Sequence, residues 1–312
     1  MAYRKSKGKL ARRSKKIEPA VMKLTFGVPV TSGAGSNTLD LSQCASLVNR
    51  RFYRQGINWA VSGFKFAVEG QLQGELAISK LPSTWVMSNS WEKSFRSWQE
   101  MNEKALEDTE SIRPRFMDFK IYADSTHHNV GYAGNLLPAG FTAGEWESSK
   151  ISIPTNSISN IATDFELIAI GGSFPGASPV TTLDAVSLIE GYAASRGLPY
   201  TSDPNVPDDA DDVGPTATPE NWMGALKNDG SDQDKEVLDR MVGAAAENNQ
   251  APYPFENDGV NVDTMYPNGA NQNPALELHD FTNFTITSIG NISRMEGGLF
   301  PCGLIRIDHT RS

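Results

Sequence analysis

The residues best suited to chemistry in this chain are eight positively charged side chains in its first sixteen positions. The segment MAYRKSKGKLARRSKK contains no acidic residue and one large aliphatic residue, Leu10. Removing these eight charges from the formal net charge of −9 leaves −17 on residues 17–312. Because so polar a segment cannot bury enough apolar area to offset the entropy of ordering, we expect an arm that binds a polyanion, with nucleic acid as its natural partner.

A second basic cluster follows at Arg50-Arg51-Phe52-Tyr53-Arg54. Three guanidinium groups interleaved with two aromatic rings can bind phosphates and stack on bases. The same residues could instead form salt bridges with the acidic body at a subunit contact. The candidate nucleic-acid-binding residues are therefore the cations of the arm and of this cluster: Arg4, Lys5, Lys7, Lys9, Arg12, Arg13, Lys15, Lys16, Lys23, Arg50, Arg51 and Arg54.

Motifs of common enzymes are absent from the sequence: GxSxG, GxxxxGK[ST], HExxH and CxxC do not occur. The pair of glycines in Gly33-Ala-Gly35 lacks the third glycine of a dinucleotide site, so we expect a turn there. His127 and His128 lack metal-ligand spacing, since neighbouring side chains of a strand point to opposite faces. We expect no enzyme, no cofactor and no metal. The alternative is a hydrolase whose dispersed triad uses one of His127, His128, His279 or His309.

Acidic residues are concentrated late in the chain, with eleven between Asp203 and Arg240. The run Asp208, Asp209, Asp211 and Asp212 could bind Ca²⁺, but it lacks the EF-hand pattern and is more typical of a solvated face. Such a surface could also keep nucleic acid away from the outside of an assembly.

Two cysteines and the absence of an apolar leader or an 18-residue apolar run predict a soluble protein made in the cytoplasm. The basic arm has alternative interpretations as a nuclear-localisation signal, a membrane-surface anchor or an expression artefact. Because Tyr3 is the single aromatic residue of the segment 1–16, we expect no membrane partner.

Alternating apolar and polar residues predict a series of strands bounded by Gly, Pro, Asn or Ser. Gly63 interrupts the second strand, which indicates a bulge or bend there. The predicted strands cover residues 22–30, 55–69, 73–80, 115–122, 149–153, 165–170, 276–289 and 298–307.

Helical spacing of aromatic residues predicts an amphipathic helix over residues 89–110, capped by Ser90 and packed through Trp91, Phe95 and Trp98. Further helices are predicted over residues 183–195 and 233–247. The second of these lies within residues 201–273, which are rich in Asp, Asn, Gly and Pro and indicate a surface insertion. Because strands and helices do not alternate regularly, the pattern favours an all-β sandwich over a parallel α/β fold.

The segments FYRQGINWAVSGFKF (residues 52–66) and GGLFPCGLIRI (residues 297–307) resemble parts of single jelly-roll capsid proteins of small circular Rep-encoding single-stranded DNA viruses. The plan of a short basic arm joined to a β-rich body is similar too. The resemblance implies a single eight-stranded antiparallel jelly-roll sandwich with inserted helices. It divides the chain into a disordered basic arm (1–23) and a capsid domain (24–312) that carries the acidic insertion 201–273.

The function implied by this resemblance is an icosahedral viral shell that packages a single-stranded genome, with DNA favoured over RNA. The partners would be further copies of the chain, about sixty or a multiple, and the genome. The protein would reside in the virion, and before assembly in the host cytoplasm and nucleus. The resemblance implies no catalytic residues, and it leaves the receptor unassigned. A coat protein of a positive-strand RNA virus and a non-capsid nucleic-acid-binding protein with a basic tail are the alternatives.

Overall fold

The computed structural model describes residues 19–28, 33–56, 58–68, 73–105, 118–142, 146–154, 164–171, 185–189, 192, 276–285 and 292–311. The described part is mostly β, with antiparallel sheets and few helices. Its strands are β1 (Gly33–Asp40), β2 (Asn58–Ala67), β3 (Gly74–Lys80), β4 (Lys150–Pro154), β5 (Asp164–Ile170), β6 (Ala185–Ser187), β7 (Glu277–Phe284), β8 (Ile292–Pro301) and β9 (Leu304–Arg311). Its α-helices are α1 (Leu41–Asn49), α2 (Trp85–Ala105) and α3 (Ser125–Val130).

The largest described sheet has the strand order β1-β9-β3-β7, and every neighbouring pair in it is antiparallel. Ile78 of β3 lies directly opposite Ile307 of β9, and both are almost fully buried. Because alternate residues of a strand share a face, Leu76 and Ile305 point to the same side. This sheet therefore presents an aliphatic face.

A two-stranded antiparallel sheet, β2–β8, contributes the opposite side of this apolar core. Met295 and Phe300 of β8 are buried against the aliphatic face, and Val61, Phe64 and Phe66 of β2 pack around them. Two antiparallel sheets enclosing one apolar core form a sandwich, which agrees with the all-β expectation.

The interruption predicted at Gly63 is present in both strands of the smaller sheet. Val61 and Phe64 both pack inward although they are three positions apart, and so do Met295 and Phe300 although they are five apart. The pairing register is the same on either side of Gly63, so no residue is inserted in one strand alone. The two strands change faces together, which keeps their apolar residues on the core.

Helix α2 packs its aromatic stripe on a second apolar cluster, as its spacing predicts. The ring centroids of Trp91, Phe95 and Trp98 lie 5.8, 6.1 and 5.7 Å from that of Phe119. The cluster also includes Leu304 at the start of β9. The helix therefore covers the end of the sandwich where β8 meets β9.

A smaller sheet, β4-β5-β6, combines the antiparallel pair β4–β5 with the parallel pair β5–β6. The predicted strands 149–153, 165–170 and 73–80 are confirmed by β4, β5 and β3. The strand predicted over 276–289 is confirmed by β7 as far as Phe284, and residues 286–289 lie outside the described ranges. The helix predicted over 183–195 is wrong at its start, because Ala185–Ser187 pair with β5 as a strand before helical residues begin.

The prediction for the N-terminal region is wrong. In place of a strand over 22–30, the described residues there form a single bridge between Phe26 and Pro138. The turn expected at Gly33-Ala-Gly35 is part of β1, which pairs along its length with β9. A side chain at Gly35 would collide with the ring of His309, so the glycine is needed for close approach rather than for a turn.

Helix α2 begins at Trp85, before the predicted start at residue 89. The hydroxyl oxygen of Thr84 accepts a hydrogen bond from the Met87 N–H at 3.3 Å. Ser90, the predicted cap, lies inside the helix, where its hydroxyl donates to the Met87 carbonyl at 2.9 Å. The Thr84 side chain satisfies one of the orphan N–H groups of the first turn.

The C-terminal strand predicted over 298–307 is two strands separated by a tight turn. Cys302 and Gly303 have φ angles of 57° and 69°, in the left-handed region, and the Gly303 N–H donates to the Phe300 carbonyl at 3.1 Å. The chain thus leaves the β2–β8 sheet and enters the four-stranded sheet at this turn. The strand predicted over 115–122 is not formed in its described part, residues 118–122, where the β pairing is a single parallel bridge between Tyr122 and Ile170.

Other predictions concern residues that the structure does not describe. They are the arm as far as residue 18, the insertion 201–273 and its helix 233–247. His127 and His128, expected in a strand, lie in α3 instead.

Candidate nucleic-acid interface

The cluster Arg50-Arg51-Phe52-Tyr53-Arg54, here named the basic loop, connects the end of α1 to the approach of β2. Helix α1 ends at Asn49, and Arg50 follows in the left-handed conformation with φ of 50°. This reversal turns the chain outward, so that Arg50, Arg51 and Arg54 are all exposed. The structure therefore brings the three predicted arginines together on one surface loop.

Hydrogen bonds from the backbone hold the basic loop against α1. The Arg51 N–H donates to the Ser46 carbonyl at 3.3 Å, and the Tyr53 N–H donates to the Ser46 hydroxyl oxygen at 3.0 Å. The Tyr53 ring packs against Trp59 with 6.3 Å between centroids. These contacts make Tyr53 a support for the loop rather than a platform for bases.

Gln55 anchors the far end of the basic loop inside the protein. Its side chain is fully buried and makes two hydrogen bonds with the backbone of Ile121, at 3.0 and 3.1 Å. Asp118 accepts from the Gln55 N–H at 3.4 Å and forms a salt bridge with Lys120 at 3.4 Å. Burial raises the pKa of Asp118, while the charge of Lys120 opposes that rise.

The arginines of the basic loop have no carboxylate partner within the described ranges of the chain. The salt bridges seen there involve Arg96, Lys120 and Arg306. In the alternative interpretation, these arginines would pair with carboxylates of a second copy of the chain. An exposed guanidinium without an internal partner keeps all its donors available for phosphate oxygens.

The N-terminal segment is attached to the protein beside this loop. The Val21 N–H donates to Oδ1 of Asn49 at 2.6 Å, and Nδ2 of Asn49 donates to the Val21 carbonyl at 3.2 Å. Asn49 directly precedes Arg50, so this pair of hydrogen bonds places the root of the arm at the basic loop. Lys23, two residues further on, is exposed there.

A second attachment lies four residues later along the chain. The Ala139 N–H donates to the Thr25 carbonyl at 2.7 Å, and Phe26 and Val28 pack against the core of the sandwich. Thr25 is therefore an anchor independent of Asn49. The predicted arm cations from Arg4 to Lys16 lie outside the described residues. Lys16 is the nearest of them, five residues before Val21, a span of at most about 18 Å for an extended chain.

A network of buried polar groups was not predicted from the sequence. The carboxylate of Asp40 accepts hydrogen bonds from Ser42 and Gln43 at the start of α1 and from the Trp146 indole at 2.6 Å. Asp124 caps α3 by accepting from the His127 N–H at 2.8 Å. The helix caps have a local sequence signal, an Asp directly before the helix in Asp40-Leu-Ser-Gln and Asp124-Ser-Thr-His. The other partners of these carboxylates, Trp146 and Arg306, are distant in sequence and have no such signal.

Burial also determines the chemistry of the two thiols. It raises the pKa of Cys44 to about 12, with the charge of Asp40 adding to the effect, and it raises the pKa of Cys302 in the same way. The Cys44 thiol donates a weak hydrogen bond to the Leu136 carbonyl at 3.7 Å. Neither thiol is poised as a nucleophile at neutral pH.

Two of the histidines proposed for a hydrolase triad, His127 and His279, have other contacts, whereas the buried Nδ1 of His309 has no hydrogen-bond partner among the described residues. His127 uses both ring nitrogens, one with the Ala123 N–H and one with Asn135. The His279 ring nitrogen Nε2 lies 3.2 Å from the Glu296 carbonyl. Among the described residues there is no group of three or more His, Cys, Asp or Glu side chains that could hold a metal ion.

Comparisons with protein-family models, with curated proteins and with solved structures found no match to this chain. No helix in the described ranges is both long and apolar enough to cross a membrane.

Proposed function

We propose that this protein is a viral capsid protein that self-assembles into a closed shell and packages a single-stranded genome. The observation that carries the proposal is the pair of hydrogen bonds between Val21 and Asn49. It fixes Val21, which follows the basic segment 1–16 by five residues, at the end of α1, next to the surface that carries the three exposed arginines. A polyanion at this surface would meet both sets of charges together.

The jelly-roll arrangement is part of this proposal, and the strand pairing supports it. The first described strand pairs with the last, β1 with β9; β2 pairs with β8, and β3 with β7. This nested order is that of one long antiparallel hairpin rolled into a sandwich with Greek-key connections. Single-jelly-roll domains of this kind form viral shells.

The charge distribution supports an inward-facing arm. Residues 1–16 carry eight positive charges, while residues 17–312 carry a net charge of −17. If the arm and the basic loop face the genome, the acidic surplus lies mainly on surfaces that do not. Repulsion between that surplus and the phosphates would favour one orientation of each subunit in the shell.

Deletion of residues 1–18 tests the packaging role, because it removes eight cations and keeps Val21 and its contacts. We expect the truncated protein to form particles that contain much less nucleic acid, measured by the ratio of absorbance at 260 and 280 nm after nuclease treatment. Equal nucleic-acid content in full-length and truncated particles would refute the role of the arm. A matched chain in which the eight cations become glutamine separates loss of charge from loss of length.

The alternative of a nucleic-acid-binding protein that forms no shell rests on the same basic surface. It predicts binding with steep salt dependence but no closed particles. Sedimentation of the purified protein with and without a single-stranded oligonucleotide distinguishes the two functions. The jelly-roll pairing favours the capsid.

A further inference from the structure

His127 is buried in α3 and hydrogen-bonded on both sides of its ring. Only 2% of the residue is exposed. Its Nδ1 accepts a hydrogen bond from the Ala123 N–H at 3.0 Å, and its Nε2 lies 2.6 Å from Oδ1 of Asn135. Because a backbone N–H can only donate, Nδ1 must be unprotonated, and the single ring proton is on Nε2. The structure therefore requires neutral His127.

The hydrogen bonds continue from His127 to α1. Nδ2 of Asn135 donates to Oε1 of Gln43 at 3.0 Å, and the Gln43 N–H donates to Asp40 at 3.4 Å. His127, Asn135 and Gln43 are each less than a tenth exposed. This chain of contacts holds residues 124–136 against the first turn of α1. Gln43 and Asn135 are 92 positions apart, so the contact is tertiary.

The charged groups that face His127 are already engaged. On its own helix, Asp124 caps α3 and forms a salt bridge with Arg306 of β9. Asp40, at the end of β1, accepts from the Trp146 indole and from α1. His128 is the next residue after His127. The ring centroids of Tyr122 and Trp146 lie 4.8 and 5.8 Å from that of His127. None of these contacts supplies an acceptor for a second ring proton at Nδ1.

We propose that His127 is an acid-sensitive latch, and that uptake of a second proton on Nδ1 releases residues 124–136 from α1. The added N–H would face the Ala123 N–H, so two donors would oppose each other at a site that water does not reach. The ring must then leave its place, and the bond to Asn135 is lost with it. The proposal concerns the chain itself and holds whether or not the protein forms a shell.

The direction of the pH effect follows from linkage. Burial lowers the pKa of His127, although Asn135 and the two carboxylates oppose that shift. In the released segment the ring has an ordinary pKa near 6.5. Below that pH the released state binds a proton that the closed state does not, so release becomes more favourable as the pH falls. Between about pH 7.5 and 5.0 the equilibrium constant for release can rise by up to about 30-fold.

Hydrogen exchange of the full-length protein at pH 7.5 and pH 5.0, corrected for intrinsic exchange rates, measures this release. The variant is His127→Gln, which cannot titrate, and the matched control is His128→Gln on the same helix. We expect faster exchange at pH 5.0 in peptides from residues 122–136 of the wild type and of His128→Gln. His127→Gln should show no such change, and peptides from α2 provide the internal reference.

An equal acid response in His127→Gln and wild type would overturn the proposal, as would a wild type without acid response. If His127→Gln does not fold, an NMR titration of the four wild-type histidines decides instead. We then expect His127 to titrate below pH 6.5 together with loss of protection at the Ala123 amide. Titration of His127 with that amide still protected would overturn the latch.

Discussion

Replacing Arg50, Arg51 and Arg54 together by glutamine should weaken binding of single-stranded nucleic acid without unfolding the protein. The three side chains are exposed, and within the described ranges they form no salt bridge, so we expect a change in stability of at most about 0.5 kcal/mol. Each phosphate contact to a single strand contributes about 0.7 to the slope of log affinity against log salt. Loss of three contacts should reduce that slope by about 2, which corresponds to about 50-fold weaker binding at about 0.15 M monovalent salt.

The assay is fluorescence anisotropy with a labelled single-stranded oligonucleotide over a series of salt concentrations, using protein held below its assembly concentration. A control variant removes three exposed cations elsewhere, with Lys65, Arg294 and Arg311 replaced by glutamine. We expect the control to change the slope much less than the loop variant. An unchanged slope in the loop variant, or equal slopes in the two variants, would refute the assignment of the basic loop.

Further predictions concern the arm root, the core and the thiols. Asn49→Ala should weaken oligonucleotide binding about two- to threefold, because the anchor nearest to the arm moves from Val21 to Thr25 and the effective concentration of the arm falls. The control Asn102→Ala removes a side-chain hydrogen bond to a helix carbonyl in α2 and should leave binding unchanged. Phe119→Ala should lower the free energy of unfolding in urea by about 3–5 kcal/mol, because it empties the site between the aromatic rings of α2; a loss below about 1 kcal/mol would contradict this packing. Because burial raises the pKa values of Cys44 and Cys302, iodoacetamide at about pH 8 should alkylate neither thiol until urea is added. Rapid labelling of the folded protein would show that the thiols are not buried.

Strands with a clear alternation were predictable from the sequence, and so was the packing face of α2. In β3 the alternation of apolar and polar residues predicts the strand, because Leu76 and Ile78 point to the buried face and their neighbours point to the other face. Strand β1 was missed because its sequence, GAGSNTLD, is small and polar and lacks an apolar period. It is a strand because β9 pairs with it and because Gly35 leaves room for the His309 ring, both of which are tertiary facts.

The split between β8 and β9 shows a second limit of periodicity. The run GLFPCGLIRI has no polar residue before Arg306, so it offers no sign that Cys302, a residue with a side chain, adopts a left-handed conformation. The turn is explained by the two sheets that it connects, since β8 pairs with β2 and β9 with β1 and β3.

The candidate interface was predictable in part. Composition alone identified the basic loop, because three arginines within five residues are an unusual local concentration of charge. The contact between Val21 and Asn49 spans 28 positions and depends on where α1 ends, so it could not be read from the chain. The same holds for His127, whose role depends on partners from α1 and from the segment after α3.

Electron microscopy of the purified full-length protein tests the capsid proposal most directly. We predict closed particles of uniform diameter that protect single-stranded nucleic acid from added nuclease. Protein that remains monomeric or dimeric over a range of salt and pH, with all copurified nucleic acid open to the nuclease, would contradict the proposal.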